Sequence, residues 1–503
     1  MDRVRWALAP CVLTCGLLLA CDGEVEPEMD AGEDEECPAE GVPITGEIDE
    51  DTRWSCPTYL LQDQIFVVDD ATLTIDPGTT IYGDTLGDFS AALIVTRGAR
   101  LIAEGTADAP IVFTSGNPEG ARATGDWAGV ALLGSATAND GECVDGTDAA
   151  CSGGYLQDRL EGIDPADVRA LYGGRDDASS CGSLRYVRIE FAGRELTPDN
   201  ELNGLTLGGC GSGTTLSYVQ VHRGKDDGIE FFGGTAPIDH AVISGASDDS
   251  LDFDEGWRGN GQFIVIHQYP GVGDRGIEAD NFGSDESATP VTRPNLWNVT
   301  MVGTDNTRVA LFREGVTGIL GNFLISGFGA PIDVRAVTVD PATSWPDDFV
   351  MESSVFHDVD PFSVEDMTRA EVCTEAGTSW SGSPSWPMTD GSPVCATGML
   401  SDDQIQHLTA TEEEHLDDDL GFDEAASWTA AERSNTFDVD PMLGSTSPTD
   451  PGFVPAGSLP AGGTPRFNEH APDGFGDASA TFVGAFDPAG EDWTAGWTAY
   501  PAD

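Results

Sequence analysis

The sequence predicts an all-β chain whose strands stack as a parallel β-helix, and three observations carry that expectation. The first is an internal repeat: TTLSYVQVHRGKDDGIEFFGG and APIDHAVISGASDDSLDFDEG, within residues 214–256, align without a gap at a shift of 22. Leu216 falls on Ile238, Val219 on Ala241, Val221 on Ile243, Ile229 on Leu251 and Phe231 on Phe253. Apolar and polar residues alternate on both sides of a Gly/Asp/Ser turn, the period of half-buried strands. The second is a strand pattern that recurs as LRYVRIEF (184–191), LSYVQVHR (216–223), IDHAVISG (238–245), LWNVTMVG (296–303) and LGNFLISG (320–327). Spacings of 32, 22 and 24 between recognisable neighbours fix the strands while the turns vary. The third is that no long amphipathic helix alternates with these strands, which argues against a βα barrel or a Rossmann sheet. Units of this size bury their apolar faces only on the next coil.

At the N-terminus, Arg3 and Arg5 precede an apolar run from Trp6 to Ala20 that is short for a membrane span and reads as a secretory signal over residues 1–20. From Asp22 to Glu36, nine of fifteen residues are acidic. Such a stretch cannot bury enough surface to fold and extends by self-repulsion, so residues 21–55 are expected to be a tether.

The chain has 11 cysteines. Removing the signal takes Cys11 and Cys15, and setting Cys21 aside leaves Cys37, Cys56, Cys143, Cys151, Cys181, Cys210, Cys373 and Cys395. An even number in an exported chain argues for disulfides. Sequence neighbours suggest 37 with 56, 143 with 151, 181 with 210 and 373 with 395. Zinc is a poor alternative, because there is no CxxC pair and no nearby histidine doublet.

The solenoid is expected over residues 56–360. TLTIDPGTTIYGD (72–84) and ALIVTRGARLIAE (92–104) superimpose at a shift of 20, placing Leu73 on Leu93 and Ile81 on Leu101. Ile111–Ser115, Trp127–Leu133 and Phe263–His267 read as further strands. Residues 134–180 break the rhythm and read as a loop insertion pinned by Cys143 and Cys151, with a helix around Asp164–Leu171. Residues 361–450 change composition and read as an irregular, partly helical cap over the open end, where an unpaired edge invites aggregation. Residues 451–503, with Trp493, Trp497 and Tyr500, are expected to pack back onto the solenoid rather than to form a sugar platform.

Two resemblances follow from these residues. Leu18-Leu19-Ala20-Cys21 resembles the lipobox of bacterial lipoproteins, which implies cleavage before Cys21 and acylation of that residue, a stable anchor when more than one chain is attached. YGGRDDASSCGSLRYVRIEFAG (172–193), NELNGLTLGGCGSGTTLSYVQV (200–221) and DWTAGWT (492–498) are similar to recurring blocks of exported bacterial proteins of myxobacterial type. That group is expected to form right-handed parallel β-helices, and it supplies no catalytic residues to transfer. The resemblances place the protein in the cell envelope, lipid-anchored, with the outer membrane expected.

The formal charge is −65, with 88 acidic and 23 basic side chains, and Lys225 is the one lysine. This surface repels phosphate backbones and anionic headgroups, so nucleic acid is not expected as a partner. Stacking the 22-residue units sets Asp226 over Asp248, Asp227 over Asp249 and Glu230 over Asp252, with Glu278 or Asp280 expected from the next coil. Carboxylates one strand spacing apart repel unless a cation, a guanidinium or water screens them. A hard cation with oxygen ligands, calcium foremost, resolves the repulsion, and Arg223, Lys225, Arg258 or Arg275 are alternatives. Aspartate is also a common turn residue, although Glu230 and Asp252 fall on strands, beyond that explanation.

Polysaccharide lyases with this fold bind calcium through acidic side chains and abstract a proton with Arg or Lys. Pectin hydrolases use aspartates, including an Asp-Asp pair that Asp226-Asp227 and Asp248-Asp249 resemble. The accompanying hydrolase blocks are missing, and no Gly-x-Ser-x-Gly, His-Glu-x-x-His, P-loop or Rossmann glycine pattern is present. The sequence therefore predicts an envelope lipoprotein with a structural or binding role toward a glycan or envelope protein. A calcium-dependent lyase using Arg258 or Arg275 is the alternative, and it requires an arginine within reach of Glu230, Asp252 and Glu278.

Overall fold

Strand after strand pairs in parallel with the strand one coil away in the computed structural model, as a β-helix requires. The structure describes residues 37–85, 90–147, 151–197, 200–283, 285, 287–335, 349–359 and 424–503. Among them, ten strands form one parallel sheet and 17 form a second, larger one. No helix among the described residues is long and apolar enough to cross a membrane.

The repeat at a shift of 22 is a true coil register. Val219 lies beside Ala241 and Val221 beside Ile243 in the larger sheet. Ile229 lies beside Leu251 and Phe231 beside Phe253 in the ten-stranded sheet. All of these side chains point inward and are buried. The Phe231 and Phe253 rings stack 5.6 Å apart, and Trp257 lies 4.2 Å from Phe253. Each buried phenylalanine contributes roughly 1.5–3 kcal/mol of transfer free energy.

The repeat at a shift of 20 is not a coil register, which corrects the expected superposition. Leu73 pairs with Leu101, and Leu93 pairs with Ile65 and Val130. The two aligned stretches are strand–turn–strand segments that occupy different corners of the coil. Both corners use a glycine turn, Gly78 and Gly98, each at positive φ, so the sequences look alike although the strands do not stack. The solenoid also begins earlier than the expected Cys56. Val42–Ile44 pairs with Thr58–Leu61, Glu47–Ile48 with Gln64–Val67, and Thr52–Trp54 with Thr72–Ile75. These first strands are short and lie among acidic residues such as Asp49, Glu50 and Asp51, which is why composition alone assigns them to the tether.

From Gly182 to Val302 each coil crosses the larger sheet as one long strand with a sharp bend, and in the later coils the strand is broken at that bend, as between Gly318–Gly321 and Leu324–Ser326. Tyr186, Tyr218, His240, Phe263, Asn298 and Asn322 all hold left-handed φ, between 48° and 59°. Bulky residues pay for that conformation by stacking, since centroids from Tyr186 to Tyr218 and from Tyr218 to His240 are 4.4 Å apart.

The C-terminal segment covers this corner. Gln220 Nε2 donates to the Ala499 carbonyl at 2.8 Å, Gln262 Nε2 to Asp477 at 3.0 Å and Asn298 Nδ2 to Phe482 at 2.7 Å. His222 Nε2 lies 2.8 Å from the Pro501 carbonyl. Trp497 is buried edge-on against Tyr186 and Tyr218. These aromatics pack and form no open platform. The covering starts before residue 451, because Tyr269 donates to the Pro448 carbonyl and His267 Nε2 meets that of Thr446.

In the insertion, the helix expected around Asp164–Leu171 is only a 3-10 turn, Val168–Ala170, beside a three-stranded antiparallel sheet. Asp167 caps that turn and no apolar stripe extends it. Cys143 pairs with Cys151 and Cys181 with Cys210, as expected. Cys37 and Cys56 also carry disulfides. Most of the expected cap, with Cys373 and Cys395, lies outside the described residues. Within them, the helix Glu424–Thr429 sets buried Trp428 against Phe349, and Thr436–Phe437 adds a parallel strand beyond Val355–His357. Cys21 and the signal stretch also lie outside the described residues.

Candidate functional site

The outer face of the ten-stranded sheet carries the carboxylates. Register sets Thr206, Glu230, Asp252 and Glu278 in one column on successive coils. Inward-pointing Ile229, Phe231, Leu251 and Phe253 fix the alternation, so Glu230 and Asp252 must face outward. Phe232 and Asp254 stand side by side in the next outward column.

Just before these strands lies a second column of Asn203, Asp227, Asp249 and Arg275. The Asn203 Oδ1 accepts the Asp227 N–H at 3.2 Å, Asp227 Oδ1 accepts that of Asp249 at 2.9 Å, and Asp249 Oδ1 accepts that of Arg275 at 2.6 Å. The turn aspartates are therefore rungs that tie one coil to the next. This structural role occupies one oxygen of each. Asn203 Nδ2 also donates to Glu230 Oε2. The sequence reading missed Asn203, although Asn203-Gly204-Leu205 has the form of Asp227-Gly228-Ile229.

Three groups of carboxylates converge along the two columns: Asp226, Asp227 and Asp248; Asp227, Glu230 and Asp252; Asp248, Asp249 and Asp274. In each group, one oxygen from every member lies within 4.8 Å of the others. All six predicted metal-site residues belong to these groups, and Asp274 is an addition. Asp227 and Asp249 are only 8% and 3% exposed. Burial, and then the neighbouring carboxylates Asp252 and Glu230, push Asp227 well above the usual carboxylate range. Burial and Asp252 do the same to Glu230, and burial and Glu278 to Asp249 and Asp252. Mutual repulsion and burial thus favour the protonated form of each group when no cation is present.

The donor set fits a hard divalent cation. Calcium takes oxygen ligands at about 2.3–2.6 Å, so two oxygens on opposite sides of one ion stand roughly 5 Å apart. The spacing within each group is of that size, and every donor is a carboxylate oxygen.

Arginines close one end of the ladder. Arg275 Nη1 lies 2.5 Å from Asp274 Oδ2 and 3.4 Å from Glu278 Oε1. Arg313 lies 2.5 Å from Asp280 Oδ1 and 3.6 Å from Glu278 Oε2. The other cations proposed from sequence go elsewhere. Arg258 pairs with Asp177 at 2.6 Å and lines a cavity of about 530 Å³ with Arg293, Arg466 and His470. Lys225 reaches Glu195 at 3.5 Å, and Arg223 lies over the Tyr269 ring. Of the two arginines named as bases, Arg275 meets the ladder.

No curated protein and no solved structure matches the chain. A family pattern does, over residues 46–382, a span that begins with the first coils and includes the whole acidic ladder. With the parallel coils and that match covering more than half of its length, the chain belongs to the pectate-lyase-like beta helix domain family.

Proposed function

We propose that the protein is a lipid-anchored component of the cell envelope whose acidic ladder holds calcium and, through it, binds an acidic glycan. The observation that carries the reading is the convergence of Asp227, Glu230 and Asp252 from two coils onto one point, with oxygens within 4.8 Å. Bare, this face repels a polyanion. Cations seated between the carboxylates offset most of that negative charge, and uronate carboxylates can add to them as further oxygen ligands. The anchor is Cys21 in its lipobox-like setting, and the acidic residues after it hold the solenoid away from the bilayer.

A calcium-dependent lyase is the second reading, favoured by one observation. Arg275 stands 2.5 Å from Asp274, a member of one carboxylate group, and a lyase needs its base beside the cation-bound uronate. Both readings need calcium, and they differ in whether the glycan is cut.

The test uses the purified protein, stripped of metal and then titrated with calcium by calorimetry, followed by capture of polyuronates with and without chelator. Calcium-dependent capture without release of unsaturated product supports the binding role. Calcium-dependent appearance of the ultraviolet-absorbing unsaturated uronide supports the lyase. Absence of calcium binding refutes both and returns the aspartates to coil pairing alone. Loss of acyl labelling in Cys21→Ala tests the anchor independently.

A further inference from the structure

The insertion brings a separate set of carboxylates to the solenoid. Its sheet consists of Glu142–Val144, Tyr155–Arg159 and Leu171–Tyr172. Asp140 precedes the first of these strands and Asp158 lies on the second. Both meet Glu255, the residue that follows the solenoid strand Leu251–Asp254, and one oxygen of each lies within 4.8 Å of the others.

The groups are held in place from several sides. The Asn139 N–H donates to the Glu255 carbonyl at 2.9 Å, which fixes Asp140 beside the coil. Asp140 Oδ1 accepts the Gly141 N–H at 2.5 Å and Asp158 Oδ1 that of Arg159 at 2.7 Å, so each carboxylate is oriented through one oxygen. The Tyr172 hydroxyl donates to Glu255 Oε1 at 2.9 Å.

A second observation points to a ligand. Glu255 is 8% exposed, and its Oε2 is sealed from solvent with no hydrogen-bond donor from the protein. An unpartnered buried carboxylate oxygen is costly, and here two further carboxylates crowd it. The nearest guanidinium in sequence, Arg159, directs Nη1 at the Asp167 carbonyl at 2.5 Å.

We infer that Asp140, Asp158 and Glu255 form a second divalent-cation site, for a hard ion of the calcium class, that fastens the insertion to the solenoid. It shares no residue with the ladder groups. Its two aspartates come from the insertion and its glutamate from a coil, so the ion bridges the two and its loss loosens the insertion.

Terbium, a calcium substitute with light-sensitised emission, is the probe. The purified full chain is compared with Glu255→Gln, Asp158→Asn, Tyr172→Phe and the ladder double variant Asp227→Asn, Asp249→Asn. Tyr172 touches a ligand carboxylate, so Tyr172→Phe is expected to lower the tyrosine-sensitised emission, and emission equal to the wild type would count against an ion at Glu255. Glu255→Gln and Asp158→Asn are each expected to lower calcium stoichiometry by one ion per chain. Each should also raise the rate of limited proteolysis within the insertion several-fold, as chelator should in the wild type. The ladder double variant should keep this ion. Unchanged stoichiometry in both Glu255→Gln and Asp158→Asn, with native circular dichroism, overturns the site. Loss of every bound ion in the ladder variant overturns it as well. Should Glu255→Gln fail to fold, Asp158→Asn, half-buried on the insertion side, decides the count alone.

Discussion

The carboxylate of Asp227 accepts the backbone N–H of Asp249 at 2.9 Å, so a residue positioned to bind a cation is also a rung of the coil stack. The two roles use different properties. Pairing needs one acceptor oxygen, which an asparagine amide supplies, as Asn203 does one coil earlier. Cation binding needs the charge.

Substitution at this column should therefore split by chemistry. In chelator, Asp227→Asn with Asp249→Asn is expected to melt at or above the wild-type temperature, because the rung survives and the repulsion goes. The stabilisation by added calcium should disappear. Asp227→Ala removes the acceptor and leaves the Asp249 N–H unsatisfied, at a cost of about 1–3 kcal/mol. Equilibrium urea denaturation of the three proteins measures this. An equal loss in the asparagine and alanine variants would mean that charge, rather than the hydrogen bond, holds the coils together.

Acid should stabilise the metal-free protein. Asp227, Glu230, Asp249, Asp252 and Asp254 are all pushed upward, by burial first and by neighbouring carboxylates second. Below the ordinary carboxylate range, folded and unfolded chains both carry these protons and the stability is whole. As pH rises past that range the unfolded chain releases them first, and stability falls until the raised values are passed. Asp167, held down by hydrogen bonds from the Arg169 guanidinium, works in the opposite direction and loses its contribution only as pH falls below that range. The melting temperature in chelator should thus decline as pH rises above about 5, where ordinary carboxylates are already ionised. Saturating calcium should flatten the decline and release protons on binding. A chelated protein whose stability rises with pH there would contradict the protonated ladder.

Much of this architecture can be read in the chain before any coordinates. The pairs Ile229 with Leu251 and Phe231 with Phe253 are visible because inward residues must be apolar at a period of two, and this also places Glu230 and Asp252 outside. What the sequence hides is which corner a strand–turn–strand segment occupies, since the turns at Gly78 and Gly98 use the same chemistry on different corners. Asp140 and Asp158 are hidden for another reason. They meet Glu255 across a long stretch of chain, and no periodicity links an irregular loop to the coil on which it lands. The bend at Tyr186, Tyr218 and His240 is hidden because aromatic residues in left-handed backbone run against ordinary preference, and only their stacking explains them.

Removing one tail aromatic should destabilise the solenoid. Trp497 is 1% exposed, edge-on to Tyr186 at 5.7 Å and Tyr218 at 6.0 Å, and its Nε1 donates to the Trp493 carbonyl at 2.8 Å. Trp497→Ala is expected to cost about 3–5 kcal/mol. Because Gln220 and His222 bond the carbonyls of Ala499 and Pro501, detachment of the tail also breaks these hydrogen bonds and opens both side chains to water. Burial pushes His222 down to about 3, so it stays neutral under this cover at ordinary pH. Chemical denaturation together with binding of a hydrophobic dye checks the expectation. A variant of wild-type stability that had lost glycan binding would instead make Trp497 a contact residue.

Arg275 separates the two readings of the ladder. Its guanidinium lies 2.5 Å from Asp274 and 3.4 Å from Glu278, so it already offsets negative charge where a cation would sit. Arg275→Gln removes that charge while keeping a polar side chain, and calcium should bind several-fold more tightly as the competing cation is lost. For a binding surface, capture of polyuronate at saturating calcium then persists or strengthens. For a lyase, the same variant binds its substrate and forms no unsaturated product, because the proton acceptor is gone. Calorimetry with calcium and an ultraviolet assay on one preparation distinguish these outcomes. Calcium affinity unchanged from wild type would place Arg275 outside the electrostatic reach of the ions, and its role would then be confined to the pair with Asp274.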